Sequence, residues 1–413
     1  MFMVKEISPI LAEFEVETIT HALVGGYDAS PYSVNLGIFE LPRAQALKGM
    51  WRWWLRALIG GALWEAGLRN RKELEDRIRE EVRKILGSTK QASKLLFHVG
   101  GLENISSIKI SAKALQELRN EGNVRVLPAR MVLLQMGQPS EQAAARISCI
   151  KPGSKFNVIV KKRPYAKLSE PEGLLALWSL TLSLILGGIG AATRRGFGAL
   201  KVKIKTKYDS IARKIEELNE ANDSRSIKGA LTSMIDSALS STRDFLGVSR
   251  GRETRELPPF PVLTHPASLP FRLDVCQVSS QREDRELKRL GFKDEDLSAI
   301  TLLKKLGKAT LVASWRKVGH ERGYIKYHTW IMGLPRKGYK PPERRASAIY
   351  LRPLKHMDET AWAVVVYGFV SRDWPKMIKL GREEINTTKK ELIEQAFNQA
   401  WNIVIKILSG DTS

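Results

Sequence analysis

Along the chain, apolar positions recur first with a period of two and then with a period of 3.6. Over residues 11–20, Phe14, Val16 and Thr18 alternate with Glu13, Glu15 and Glu17, which predicts a half-buried strand. A loop, Gly25-Gly26-Tyr27-Asp28-Ala29-Ser30-Pro31, follows. Leu41-Pro42 then introduces a helix over residues 43–63, RAQALKGMWRWWLRALIGGAL. On that helix Leu47, Trp51, Trp54, Leu55 and Leu58 share one arc. Lys48, Arg52 and Arg56, four apart, form a second arc beside it, and Trp53 falls beyond the basic arc near Gly49 and Ala57. Residues 70–87 carry a narrow stripe of Leu74, Ile78, Val82 and Ile85, flanked by acid-first pairs such as Glu73 with Arg77, as an ordinary surface helix does.

Residues 105–110, 124–134 and 156–162 read as strands, the last ending in a basic cluster of Lys161, Lys162, Arg163 and Lys167. Residues 172–186 form an apolar helix. The uncharged run 173–193 is long enough to span a bilayer, but Ser179, Thr181 and Ser183 interrupt it and Gly187-Gly188-Ile189-Gly190 would break it. A buried helix ending in a glycine loop is the expectation. Leu200, Val202 and Ile204 then alternate with Lys201, Lys203 and Lys205, a strand with one lysine-covered face. The order strand, helix, strands, helix, strand describes a ferredoxin-like β-α-β-β-α-β domain with insertions over residues 1–206.

The second half, residues 207–413, also mixes helices with a sheet. Residues 210–246 read as helical, interrupted at Asn222-Asp223-Ser224, and Pro258-Pro259-Phe260-Pro261 is a stiff connector. A strand is expected at 271–278, helix at 282–306 with a break at Gly291, and strands at 310–314 and 324–332. Residues 347–352 and 361–370 resemble a hairpin. Thr388 and Glu391 have capping-box spacing at the start of a last helix, with Leu392, Ala396, Ala400, Trp401, Val404 and Ile407 as its core stripe.

Charge changes the picture. The 413 residues carry 67 Lys and Arg against 44 Asp and Glu, a formal net charge of +23. Such an excess favours polyanions, of which nucleic acid is one and an acidic membrane surface another. A hydrophobic content of 43% with 27% charged residues fits a folded chain. Cys149 and Cys276 stand alone, offering neither metal spacing nor a disulfide framework, which suits a reducing cytoplasm. The first residues lack the charged and apolar regions of a signal peptide.

The loop from Gly187 to Gly198, with Gly188, Gly190 and Gly196 between, invites a nucleotide-binding reading, but a phosphate loop runs strand, glycines, helix. Here the helix comes first, so phosphate would meet the wrong end of its dipole, and no nucleotide cofactor is expected. The glycines instead let backbone pass close to a ligand or to another element. Arg194 and Arg195 lie inside the loop, and Phe197 offers a ring to stack on a base; the alternative is a tight connection with exposed arginines. No histidine or cysteine spacing suits a metal. Attack by a ribose 2′-hydroxyl needs a general base, for which His21 and Asp28 are the candidates, though either residue type is more often structural. Arg336, Tyr339, Arg344 and Arg345 make a basic loop that reads equally as a backbone contact or as a solvated surface.

Leu41-Pro42 followed by Leu47-Lys48-Gly49-Met50-Trp51-Arg52-Trp53-Trp54-Leu55-Arg56 resembles the "Lys-Gly…Arg" helix start of the RAMP superfamily of CRISPR proteins. Its Trp-Trp-x-Arg continuation resembles the Cmr subunit that caps one end of the type III-B effector. The 187–198 loop resembles the glycine-rich loop that identifies RAMP proteins. Gly333-Leu334-Pro335-Arg336 with Arg344-Arg345-Ala346-Ser347 is similar to that subunit's second-half signature. The resemblance implies an α+β protein of two ferredoxin-like (RRM-related) domains and a role in antiviral defence. It implies a non-catalytic subunit at the filament end that holds the 3′ part of the guide RNA and the 5′ part of the target RNA. Other Cmr subunits would be its partners, with no membrane and no cofactor, and cleavage would fall to a backbone subunit. A RAMP endoribonuclease using His21 or Asp28, or a protein-only scaffold, are the alternatives. Two residues depart from the pattern: His21 stands where a proline is common, and Ala348 where a proline is usual. On this reading Lys48, Arg52, Arg56, Arg194 and Arg195 contact phosphates, and Trp53 or Phe197 stacks.

Overall fold

A computed structural model of the chain describes residues 9–24, 32–33, 38–39, 42–104, 106–108, 110–121, 127, 149–251, 256–266, 269–280, 285–314, 328–333, 345–358, 361–380 and 383–410. The first strand, β1 (Ile10–Thr18), leads to α1 (Ala44–Glu65) and α2 (Arg71–Leu86). After them come β2 (Leu95–Glu103), β3 (Lys155–Lys162), α3 (Glu170–Leu182) and β4 (Leu200–Thr206). These strands form one antiparallel sheet in the spatial order β2-β3-β1-β4. Its inner face, with Phe14, Val16, Phe156, Val158, Val160 and Val202, packs on α1 and α3.

Two helices, α4 (Asp209–Glu220) and α5 (Ser224–Leu246), follow β4 and pack into that same core through Ile211, Ile215, Leu231 and Ile235. The core therefore continues past residue 206. A second antiparallel sheet consists of β5 (Phe271–Ser279), β6 (Ile349–Asp358) and β7 (Ala361–Phe369), in the order β6-β7-β5. Between β5 and β6 lies α6 (Asp294–Val312), and a small hairpin (Met377–Leu380 with Glu383–Asn386) precedes α7 (Lys390–Ser409).

Strand β7 explains how the halves join. All nine of its residues are buried. Ala363, Val365, Tyr367 and Phe369 face the first core, while Trp362, Val364 and Val366 face a second core built on α6 and α7. A strand buried on both faces reads as a continuous apolar run, which is what AWAVVVYGF is.

Two strand expectations fail, one is met in part and one lies almost wholly outside the described residues. Residues 310–312 complete α6 instead, where the Thr310 hydroxyl donates back to the Gly307 carbonyl at 2.9 Å and so satisfies a β-branched residue inside a helix. His328–Ile331 is a helical turn; 324–327 lie outside the described residues. Within 105–110 only Ser107–Ile108 pairs, with Cys149–Ile150, and of 124–134 only residue 127 is described. Conversely β2 has no clean alternation, because Gly100 and Gly101 sit at an irregularity in its pairing with β3. No helix among the described residues is long and apolar enough to cross a membrane.

Candidate nucleic-acid interface

Helix α1 separates its two arcs as its periodicity requires. Leu47, Trp51, Trp54, Leu55 and Leu58 are buried, and Trp51 Nε1 donates to the Ala176 carbonyl (3.0 Å) and to Ser179 Oγ (2.9 Å) on α3. The cationic arc faces the other way. Arg56 is exposed. Arg52 donates from Nη1 to the Gly87 carbonyl (2.9 Å) and from Nη2 to the Leu86 carbonyl (2.6 Å), which lie at the carbonyl end of α2. Six residues past Gly87, the Ser93 carbonyl accepts at 2.7 Å from Nε of Arg163, at the end of β3. Two guanidinium groups thus hold the two ends of the 87–93 turn. Lys48 is part of the same cluster: burial pushes its ammonium below the usual range, and the charges of Arg52 and Arg163 push it further. Among the described residues Lys48, Arg52, Arg56 and Arg163 have no ion-pair partner. Lys162 and Lys167 are exposed on either side of Arg163-Pro164-Tyr165-Ala166, and Tyr165 between them is fully exposed.

The glycine loop does a different job. Helix α3 ends in a π-helical turn, Ser183–Gly187, and the buried Arg352 of β6 reaches across to it. Arg352 donates to the carbonyls of Ile185 (3.0 Å), Leu184 (3.4 Å), Phe197 (3.4 Å) and Gly198 (3.1 Å). Tyr367 of β7 donates its hydroxyl to the Leu186 carbonyl at 2.6 Å. Burial pushes the Arg352 guanidinium down to about 10. Gly188 adopts φ +79, and a Cβ there would lie 2.1 Å from Arg352 Nη1. Gly187 touches Met50 and Trp54, Gly190 the Leu23 backbone, and Gly196 the side chain of Leu306. The glycines bring one element close to another; the loop is the joint between the two sheets.

Several expected contacts change as a result. Phe197 is 1% exposed, inside the second core, and has no ring to offer a base. Arg194 lies 5.0 Å over the Tyr350 ring, and Arg195 donates to the Met332 carbonyl at 3.2 Å. Met50 and Trp54, which meet the loop, stand about 200° and 240° round α1 from Lys48. The loop arginines and the Lys48–Arg52 ridge therefore occupy different sides of the helix. Trp53 is half-buried, edge-on to Trp54 (5.3 Å) and to Phe369 (5.4 Å). Arg345 is paired with Asp373 (2.9 Å) and lies 4.6 Å over Trp374, so it serves the fold. Arg336, Arg344, Tyr339 and Asp28 lie outside the described residues.

His21 is 0% exposed, 3.6 Å from Asp296, whose other oxygen is 3.0 Å from Lys151. Burial pushes the imidazole below its ordinary range, with Asp296 only partly opposing. A base sealed from solvent cannot reach a ribose hydroxyl, so His21 is a core residue. The proline departure at Ala348 also has a reason: its amide donates to the Ile331 carbonyl at 3.0 Å, a bond that proline lacks.

The outer face of the first sheet differs from an aromatic RNA-stacking sheet. Glu13, Glu15 and Glu17 of β1 stand opposite Lys205, Lys203 and Lys201 of β4. The acidic strand thus lies beside the lysine strand, so the face carries charge of both signs, and α4 borders the same face through Asn219, which donates to the Val202 carbonyl at 3.2 Å.

Residues 15–201, which span β1 to β4 and include α1 and the glycine loop, match the family model of the RAMP superfamily. That match covers a little under half of the chain. CRISPR system Cmr subunit Cmr1-1 of Pyrococcus furiosus is 25% identical over 255 residues, 61% of this chain and 64% of that protein's length. The match thus spans a little under two-thirds of that relative. Cmr subunit Cmr1-2 of the same organism is 27% identical over 205 residues, 47% of this chain and 95% of that one. A chain in the cryo-EM structure of type III-B Cmr-beta bound to cognate target RNA shares the fold, with a TM-score of 0.51 and 17% identity over 96% of this chain and 100% of that one. Sequence reasoning had the RAMP helix and loop but missed Arg352, Arg163 and Tyr165 as placed groups. The signal for Arg352 was an arginine between Leu351 and Pro353 in an apolar strand; for Tyr165, an aromatic inside a basic run.

Proposed function

We propose that this chain is a non-catalytic, RNA-binding RAMP subunit of a type III-B Cmr effector. It caps the filament end that holds the 3′ part of the guide RNA and the 5′ part of the target RNA, in the cytoplasm, as part of antiviral defence. The observation that carries the reading is the gathering of Lys48, Arg52, Arg56 and Arg163 at one edge, without carboxylate partners among the described residues. Cations brought together without acids favour a phosphate backbone. The likeness to Cmr subunits supplies the assembly. Both halves are taken as ferredoxin-like. The first sheet's order, and the way β6-β7-β5 repeats the placement of β2-β3-β1, support this. Burial of His21 counts against the endoribonuclease alternative.

Ultraviolet crosslinking of the chain in a reconstituted complex with guide and target RNA tests this. Crosslinks from residues 43–56 and 161–168, with the RNA left uncut when the chain is incubated with it alone, are expected. Crosslinks absent from both segments would favour a protein-only scaffold. Cleavage by the pure chain that is lost in Asp28→Ala would overturn the non-catalytic reading.

A further inference from the structure

The turn that closes β3 holds a bulky side chain in an unusual backbone conformation. The Ala166 amide donates to the Arg163 carbonyl at 3.1 Å, closing a four-residue turn with Pro164 second and Tyr165 third. Proline suits the second position. Tyr165 adopts φ +60, the left-handed conformation that this position gives to glycine or asparagine. A bulky residue is held there against its own preference, and nothing in the fold uses its ring, which is fully exposed. The turn is anchored from behind: the Arg163 amide donates to the Lys94 carbonyl at 2.8 Å and its guanidinium to Ser93. Beneath it Ser169 and Glu172 cap α3, and Glu172 is paired with Lys94. Tyr165 forms one wall of an open groove of about 620 Å³, together with Lys162, Lys167, Ser169 and Glu172. The one carboxylate in that lining is already spent on Lys94.

Resting on the RNA-binding reading above, we propose that Tyr165 is a stacking platform for one base of single-stranded RNA, with Lys162 and Lys167 holding the phosphates on either side. An exposed ring flanked by unpaired cations is how a single strand is held without reading its sequence, since every base has a π-face. The anchored backbone presents the ring without a further ordering cost. The path continues the ridge: Arg163, one residue before the proline, belongs with Arg52 to the cluster around Lys48.

The test uses the full chain, a fluorescein-labelled single-stranded RNA and a matching sugar-phosphate oligomer without bases, with affinity measured over a salt series. Tyr165→Ala is expected to weaken RNA binding roughly five- to a hundredfold with an unchanged salt slope, and to leave binding of the base-free oligomer unchanged. Tyr165→Phe is expected to retain affinity. Tyr165→Gly suits the left-handed turn and is expected to melt no lower than the wild type while losing the same affinity as Tyr165→Ala. Unchanged RNA affinity in Tyr165→Ala, or an equal loss on both oligomers, would overturn the stacking role and leave the RNA-binding reading standing. No binding of either oligomer by the wild-type chain would overturn both.

Discussion

Arg352 and Ile185, 167 positions apart, meet through a 3.0 Å hydrogen bond from Nε to the carbonyl at the end of α3. Helix ends leave carbonyls without partners, and a buried end needs them supplied from elsewhere. One guanidinium reaches two such carbonyls here, of Leu184 and Ile185, and two more in the glycine loop, of Phe197 and Gly198, and the helix dipole favours its charge. Replacing Arg352 with Met would strand those carbonyls out of water and is expected to cost about 3 kcal/mol or more. Urea unfolding of Arg352→Met would show it as a lower midpoint; a shift within error of zero would mean that the joint does not hold the sheets together.

Arg52 has two roles that single substitutions separate. It caps α2 through Leu86 and Gly87, whereas Arg56 makes no such bond among the described residues. Arg52→Ala is expected to lose about 1–2 kcal/mol of stability, and Arg56→Ala to stay within about 0.5 kcal/mol of the wild type. Thermal melts of the two variants check this before either is used to study RNA.

Two glycines of α1 should respond in opposite directions. A Cβ on Gly61 would lie 1.5 Å from the Leu263 carbonyl oxygen, where the segment after Pro261 crosses the helix and Leu263 bonds to Ala57. Gly49 has nothing within 4 Å. Gly49→Ala is expected to stabilise by about 0.5–1 kcal/mol through helix propensity. Gly61→Ala is expected to destabilise by several times that. Chemical denaturation of both reads the contrast directly.

The His21 site makes stability depend on pH. Its folded pKa lies below the ordinary 6.5, so the unfolded chain takes up the proton first. The contribution is present in full above about pH 6.5 and is lost as pH falls towards the folded value, by at most about 1.4 kcal/mol per pH unit. His21→Gln should flatten that part of the profile. An unchanged slope between the two proteins just below pH 6.5 would mean that another group is responsible.

How far the sequence alone could reach is clearest by comparing α1 with the glycine loop. Both arcs of α1 are local, set by 3.6-residue spacing, and they appear in the structure as read. The buried run of β7 was equally local. The loop's glycines were visible too, but their purpose depends on Arg352 and Leu306, which no local pattern connects to them. Phe197 looked available to a base for the same reason: its neighbours in sequence are small, and its neighbours in space come from the second core. Strand β2 hid behind Gly100 and Gly101. The opposition of Glu13, Glu15 and Glu17 to the lysines of β4 needed the register. The candidate RNA surface is the edge where α1 begins and β3 ends.

The most direct test of that placement is the salt dependence of single-stranded RNA binding in two charge-matched variants. Lys48→Ala with Arg56→Ala is expected to weaken binding and to flatten log Kd against log salt by up to about 0.7 for each phosphate left without its cation. Lys203→Ala with Lys205→Ala, on the sheet face where they stand opposite Glu15 and Glu13, is expected to match the wild type in both affinity and slope. A flattened slope in the sheet-face pair, with the helix pair unchanged, would contradict the account.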